Sequence, residues 1–256
     1  MVLQRAQEFE SLTHCHFKRV NMHMLKTIES ITHDFQPGDV FIDVGGNVGM
    51  WTIEMLGLYD RIIFIDPSVA ATEQAKINIK THCEYFNALE LLDKVSYHRN
   101  LCSSVSGERH SIATTTDDTG NFSIYAESLY GSNNIQLLET DIETITLDKF
   151  LPDIKEGGKV FIKIDTEGCD LDVILGGWNL IKKFKPLMIV EMHWHMYFDQ
   201  GKRDRVFQLF NSLGYTYKDF LFASYVLNPT TIFDGKHNGK QMEKLHFQVI
   251  MIPPEN

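Results

Sequence analysis

Basic charge is in short supply in this chain. Its 256 residues carry 24 lysines and arginines against 34 acidic residues, a formal charge of −10. That balance disfavours DNA, RNA or an anionic membrane as the main partner, because such partners are held by clustered cations. Cysteine is scarce as well. The four cysteines, Cys15, Cys83, Cys102 and Cys169, include no CxxC pair. This argues against a disulfide framework or a zinc ribbon and for reduced thiols in the cytoplasm. No apolar run reaches the ~20 residues of a membrane span. Met1 to Glu10 lack the apolar core of a secretory signal, and no internal repeat, low-complexity tract or domain linker is evident. What is left, 43% hydrophobic and 23% charged residues, is the composition of a globular protein long enough to bury one α/β core.

The most informative stretch present is Val40-Phe41-Ile42-Asp43-Val44-Gly45-Gly46-Asn47-Val48-Gly49. It reads as a buried strand entering a glycine turn, with an acid just ahead of the turn. Twenty residues after Gly46, the apolar run Ile62-Ile63-Phe64-Ile65 ends in Asp66. Strand, glycine turn, helix and a second strand closed by an acid make half of a nucleoside-binding site.

The rest of the chain alternates in the same way. Residues 4–34 read as helix, with an apolar stripe through Met22, Leu25, Ile28 and Ile31, up to a turn at Gln36-Pro37-Gly38. This gives an N-terminal helical extension, 1–35, and a single domain, 36–256. Strands are predicted at 39–43, 62–66, 95–100, 159–165 and 186–191. Helices are predicted from Asn47 as cap to about Leu58, over 69–81 after Pro67-Ser68, over 170–184 with an interruption at Gly176-Gly177, and over 203–213. Residues 101–135, rich in Ser, Thr, Asp, Gly and Asn, read as loops with a hairpin near 109–115 and 122–126. The stretches 215–220 and 246–252 read as a closing antiparallel pair. Buried strands alternating with helices predict a doubly wound sheet covered on both faces.

Ligands of such sheets bind beyond the carboxyl ends of the strands. Four apolar strands here end in an acid, at Asp43, Asp66, Asp165 and Glu191. Any one of them could be a helix cap; all four together point to a cationic, metal or hydroxyl-rich ligand. Gly45-Gly46-Asn47-Val48-Gly49 lacks the GxGxxG spacing of a pyrophosphate site. Asp43 would oppose a pyrophosphate but suits a sulfonium and an α-amino group, and Asp66 can accept from both ribose hydroxyls. S-adenosylmethionine is therefore favoured over NAD. A nicotinamide-dependent oxidoreductase and a nucleoside-binding module without chemistry stand as the competing classes.

Four motifs occur in order: Asp43-Val44-Gly45-Gly46-Asn47-Val48-Gly49, Thr146-Leu147-Asp148, Lys163-Ile164-Asp165-Thr166-Glu167-Gly168, and Ile189-Val190-Glu191-Met192-His193. Together they resemble the motifs of FkbM-type methyltransferases over residues 36–252. The resemblance implies S-adenosylmethionine-dependent O-methylation of a hydroxyl on a sugar, as part of a glycan or glycoconjugate, or on a polyketide or other small molecule. It also implies a class I methyltransferase Rossmann-like fold, with seven strands in the order 3-2-1-4-5-7-6, strand seven antiparallel and helices on both faces. The chain departs from the family pattern at Asn100-Leu101-Cys102-Ser103-Ser104, which lacks the usual small-residue start and acid.

Carried over, the resemblance implies that Gly45, Gly46 and Gly49 let the methionine part of the donor pass, with Asp43 near its amino group. Asn47 holds the turn, Asp66 takes the ribose, and Pro67 and Ser68 shape the loop beside it. Asn100, Leu101 and Cys102 are assigned the adenine wall. Asp165, Glu191 and His193 are the expected catalytic group, one as base and the others orienting the acceptor. A divalent metal on the two carboxylates and the histidine is the alternative, less favoured because these carboxylates are not arranged as a DxD-type cluster. His195 and the His14-x-His16 pair add little to it. Trp51, one helical turn past Asn47, is a candidate for ligand contact or for the core. Trp194, Tyr197, Phe198 and Tyr225 could stack on a sugar ring or pack a lid, and Tyr85, Phe86 and Trp178 are assigned to the core. The expected partners are an oligosaccharide or small-molecule acceptor, with no nucleic acid and no membrane span. The helical start is compatible with one module of a longer enzyme.

Overall fold

The computed structural model describes residues 37–115, 122–123, 135–193, 200–219, 236–237, 240–241 and 246–254. The expected N-terminal helices, with Cys15, His14 and His16, lie outside them, as do Trp194, His195, Tyr197, Phe198 and Tyr225.

The first half is built from β1 (Gly38–Val44), α1 (Met50–Met55), β2 (Tyr59–Ile65), α2 (Val69–Tyr85) and β3 (Val95–His98). Four strands follow, β4 (Leu101–Cys102), β5 (Arg109–Thr115), β6 (Phe122–Ser123) and β7 (Ile135–Ile145). The second half runs β8 (Val160–Ile164), α3 (Asp170–Gly176), α4 (Trp178–Phe184), β9 (Leu187–His193), α5 (Gln200–Leu213) and β10 (Thr216–Asp219). A short hairpin, β11 (Lys236–His237) and β12 (Lys240–Gln241), precedes β13 (His246–Ile252).

The main sheet has seven strands in the order β10-β13-β9-β8-β1-β2-β3. The five from β9 to β3 are parallel. β13, last in the chain, lies antiparallel between β9 and β10. The observed arrangement differs in detail from a plain seven-strand sheet, because β4, β7, β5 and β6 form a second, four-stranded sheet. The hairpin expected near 109–126 is the antiparallel pair β5–β6. The eleven-residue β7 beside it was not expected, since its Glu139-Thr140-Asp141 segment is polar.

Alternation along the strands divides the core in two. Val40, Ile42, Val44, Ile162 and Ile164 face α3, α4 and α5, where they meet Leu171, Val173, Ile174, Leu180, Ile181, Leu209 and Phe210. Phe41, Phe64 and Phe161 face α1 and α2, where they meet Trp51, Ile53, Met55, Ala75 and Ile79. This period of two assigns every second residue to one face, so Asp43 and Lys163 point to the same side as Phe41 and Phe161. Trp51 is a core residue, packed edge-on against Phe161. Trp178 packs against the first core, but Tyr85 is 47% exposed at the end of α2, a correction to its assignment.

Helix ends have local causes. Ser68 caps α2 by accepting from Ala71 N at 3.2 Å. Asn47 does not cap α1. Its φ is 48°, its N–H donates to Asp66, and the cap is Gly49 at φ 85°. The 170–184 helix breaks as expected between α3 and α4. A Cβ on Gly176 would stand 2.0 Å from the Ser103 carbonyl oxygen, so only glycine allows that approach. Asp148, the acid of the Thr146-Leu147-Asp148 motif, accepts from Asn179 N at 3.3 Å and Leu180 N at 2.8 Å and so fixes the start of α4. No helix among the described residues is long and apolar enough to cross a membrane.

Candidate active site

The chain visits β1, β2 and β3 on one side of the sheet and β8, β9 and β13 on the other, so the order reverses between β1 and β8. Acids leave the sheet at this switch point. Asp43 pairs in register with Lys163, and Asp165 N donates to Val44 O at 3.1 Å.

The glycine turn begins at Gly45, with φ 71°. A Cβ there would lie 1.8 Å from the Asp165 carbonyl oxygen. Gly46 is hemmed in by the Phe64 ring, at 2.2 Å from its own virtual Cβ, and Gly49 by Ala75 and Ile79 of α2. Each glycine thus has a packing reason of its own.

Asp43 is fully buried. Its Oδ2 accepts from Thr52 Oγ1 at 2.8 Å, while Oδ1 is buried without a hydrogen bond, 3.7 Å from Lys163 Nζ. Burial raises its pKa, opposed by the charge of Lys163. Asp66 is 1% exposed. Its Oδ2 accepts from Asn47 N at 2.8 Å and its Oδ1 from Ser68 N at 2.9 Å. Burial pushes its pKa up to about 6, against the lowering effect of those two N–H groups.

Asp165 lies at the end of β8, 3.5 Å from Lys163 Nζ and 3.3 Å from Gln248 Nε2 of β13. Glu191, opposite Gln248 in the β9–β13 ladder, is 6% exposed. Asp165, Glu167 and Glu191 each hold one carboxylate oxygen within 4.8 Å of the others. Such a set of hard oxygen donors could hold a divalent cation. Glu167 takes φ 50° and Gly168 φ 108°. This turn is held by buried Asp170, which accepts from Thr166 N and Thr166 Oγ1, both at 2.9 Å, and from Gly168 N at 3.2 Å.

The structure therefore brings Asp43, Gly45, Asp165 and Glu191 to one edge, with Glu167 beside them. His193 ends β9 opposite His246, and its side chain lies outside the described residues. Pro67 and Ser68 open α2 beside Asp66. Asn100 donates from Nδ2 to the Glu143 carbonyl at 3.0 Å. Leu101 and Cys102 form the buried strand β4, Leu101 packed with Ile112 and Ile142, and Cys102 in the main core. Sequence reasoning missed Lys163, Gln248, Thr52 and Asp170. Lys163 had a visible signal, one cation inside the buried run Val160-Phe161-Ile162-Lys163-Ile164.

Among the described residues the acids outnumber the one buried cation, Lys163, so the edge suits a cationic ligand. The positive φ of Gly45, Asn47 and Gly49 opens a tight backbone turn beside it, and Asp43 Oδ1, ion-paired with Lys163, accepts no hydrogen bond. These residues fit S-adenosylmethionine.

A model of the methyltransferase FkbM domain matches residues 43–217. Among solved structures, the chain is similar to methyltransferase FkbM from Methylobacillus flagellatus KT, at 13% identity and TM-score 0.39, over 75% of this chain and 49% of that one. It is also similar to an rRNA methylase from Streptococcus thermophilus, at 8% identity and TM-score 0.44, over 92% and 99%. A third is the O-methyltransferase from Bacillus cereus in complex with SAH, at 11% identity and TM-score 0.42, over 97% and 89%. The chain spans about half the length of the Methylobacillus protein. No curated protein matches it.

Proposed function

The chain belongs to the FkbM methyltransferase family, and on that premise we propose that it moves a methyl group from S-adenosylmethionine to a hydroxyl of a sugar, on a glycan or glycoconjugate, by in-line displacement. When bound, S-adenosylmethionine supplies a methyl group already activated on a sulfonium, so the C–O bond forms as the C–S bond breaks and the bonding pair stays on sulfur. The observation that carries the reading is the backbone contact of Gly45 with Asp165. It supports taking the glycine turn as the donor side and Asp165 as the acceptor side of one site.

The chain's own residues divide the work. The turn at Gly45, Gly46, Asn47 and Gly49 receives the methionine part, with Asp43 as the negative charge facing the amino group. Asp66 keeps a second lone pair on each oxygen for the ribose hydroxyls, in the loop shaped by Pro67 and Ser68. Asn100, Leu101 and Cys102 border the adenine side. Asp165, Glu191 and His193 handle the acceptor: one takes the hydroxyl proton as the new bond forms, and the others orient the sugar. The product is S-adenosylhomocysteine and a methyl ether.

The test is methyl transfer from methyl-labelled S-adenosylmethionine to a panel of deoxysugar-bearing oligosaccharides, with and without a chelator, beside titrations with S-adenosylmethionine and with NAD. Label on a sugar oxygen supports the reading. Transfer only to polyketide-type hydroxyls would move the acceptor class, and loss on chelation would show that a divalent cation takes part, with Asp165, Glu167 and Glu191 as its candidate ligands. Saturable NAD binding without S-adenosylmethionine binding would overturn the proposal.

A further inference from the structure

Lys163 stands where the apolar pattern asks for a hydrophobic residue. It follows Phe161 on the α1 face of β8 and is 3% exposed. An ammonium out of water is costly unless its donors are used and its charge is met. Here both conditions hold. Nζ donates to the Gly45 carbonyl at 2.6 Å and to the Val44 carbonyl at 3.4 Å. It stands 3.5 Å from Asp165 Oδ2 and 3.7 Å from Asp43 Oδ1. Burial works against its charge, but Asp165, Asp43, Glu191 and Asp66 outweigh that and hold its pKa above the ordinary lysine value.

The partners belong to both halves of the site. Val44, Gly45 and Asp43 lie at the end of β1 and in the donor turn; Asp165 is the acid after β8. The ammonium therefore ties the two strands together at the point where the sheet order reverses. In-line displacement depends on the spacing of donor and acceptor, and a shift of about 1 Å there can cost about a hundredfold in rate.

We propose that Lys163 is a positioning residue: its buried ammonium clamps the Gly45 carbonyl to the Asp165 carboxylate and so sets the distance between the methyl-donor turn and the acceptor-activating acid. This rests on the methyltransferase reading above. Lys163 touches neither substrate; it acts through Gly45 and Asp165.

The test compares wild type, Lys163→Met and Lys163→Arg. Calorimetric binding of S-adenosylhomocysteine and turnover at saturating donor are read on the same folded preparations, with melting temperatures alongside. Lys163→Met is expected to weaken S-adenosylhomocysteine binding about tenfold, as for loss of a charged hydrogen bond, and to lower turnover about a hundredfold. Lys163→Arg should regain most of the binding but little of the turnover, because a planar fork does not reproduce a compact point charge. This split between binding and turnover is what a merely structural lysine would not give. A folded Lys163→Met with unchanged binding and turnover overturns the proposal. If Lys163→Met does not fold, Lys163→Arg decides: turnover within threefold of wild type overturns it. Wild type that fails to bind S-adenosylhomocysteine sinks the methyltransferase reading instead, a result separate from either variant.

Discussion

Gly45 abuts Asp165 so closely that a methyl group on its Cα would stand 1.8 Å from the Asp165 carbonyl oxygen. The two residues come from opposite halves of the chain, and no side chain fits between them. Gly45 also has φ 71°, which costs an L-residue roughly 1–2 kcal/mol before any clash. Gly45→Ala should thus lose about 3 kcal/mol or more of stability. Gly107→Ala is the matched comparison, with φ 86° and no atom near its virtual Cβ, and should lose about 1 kcal/mol. Urea titrations of both variants check the difference; equal losses would mean that the Asp165 contact carries no weight.

Asp165→Asn should keep donor binding and lose turnover. The amide fills the same space and can still meet Gln248, but it cannot take a proton. A positioned base contributes roughly 10²- to 10⁴-fold, so a loss of that order is expected, with S-adenosylhomocysteine affinity within a few-fold of wild type. Full turnover in this variant would shift the base to Glu191 or His193.

Asp66 predicts a pH dependence of opposite sign for stability and for binding. Burial raises its pKa to about 6 in the folded protein, against about 3.9 unfolded. Its contribution to stability is therefore full below the unfolded value and is lost as the pH rises through about 6. On the proposed reading the ribose hydroxyls donate to the ionised Asp66, so S-adenosylhomocysteine should bind more tightly from pH 5 to pH 7. Calorimetry across that range, repeated with Asp66→Asn, should show a steeper slope in wild type than in the variant. A wild-type profile that is already flat would remove Asp66 from the ribose.

Asp170 holds the turn that presents Glu167, through three hydrogen bonds to Thr166 and Gly168. Without them, φ 50° at Glu167 and φ 108° at Gly168 lose their support. Asp170→Ala should lower stability by about 2 kcal/mol, and turnover should fall further than the folded fraction explains. Denaturation midpoints and turnover of the folded protein separate the two effects. Turnover that tracks the folded fraction alone would make Asp170 purely structural.

Much of the frame was legible because it rests on local chemistry. The apolar runs ending in Asp43, Asp66, Asp165 and Glu191 gave the strands and the edge where the acids collect. Ser68 and the Gly176-Gly177 pair marked helix boundaries that the structure also has. Asn47 lies in the turn but does not cap the helix. Capping propensity favours it, but its N–H turns to Asp66, nineteen residues away, and that partner has no local signature. β7 was missed for a related reason. Its polar middle residues obscure the alternation, and its pairing with β4 and β5 is set by contacts distant in sequence.

The succession of strands, turns and helices, and the acid at each strand end, follow from hydrophobic period and turn chemistry, which act over a few residues. What those ends do to one another is set by strand pairing across the fold. Pairing β1 with β8 puts Gly45 against Asp165 and lowers Lys163 between Asp43 and Asp165. A lysine in an apolar strand reads as an exception until the neighbouring strand supplies the carbonyls and carboxylates that make its burial favourable.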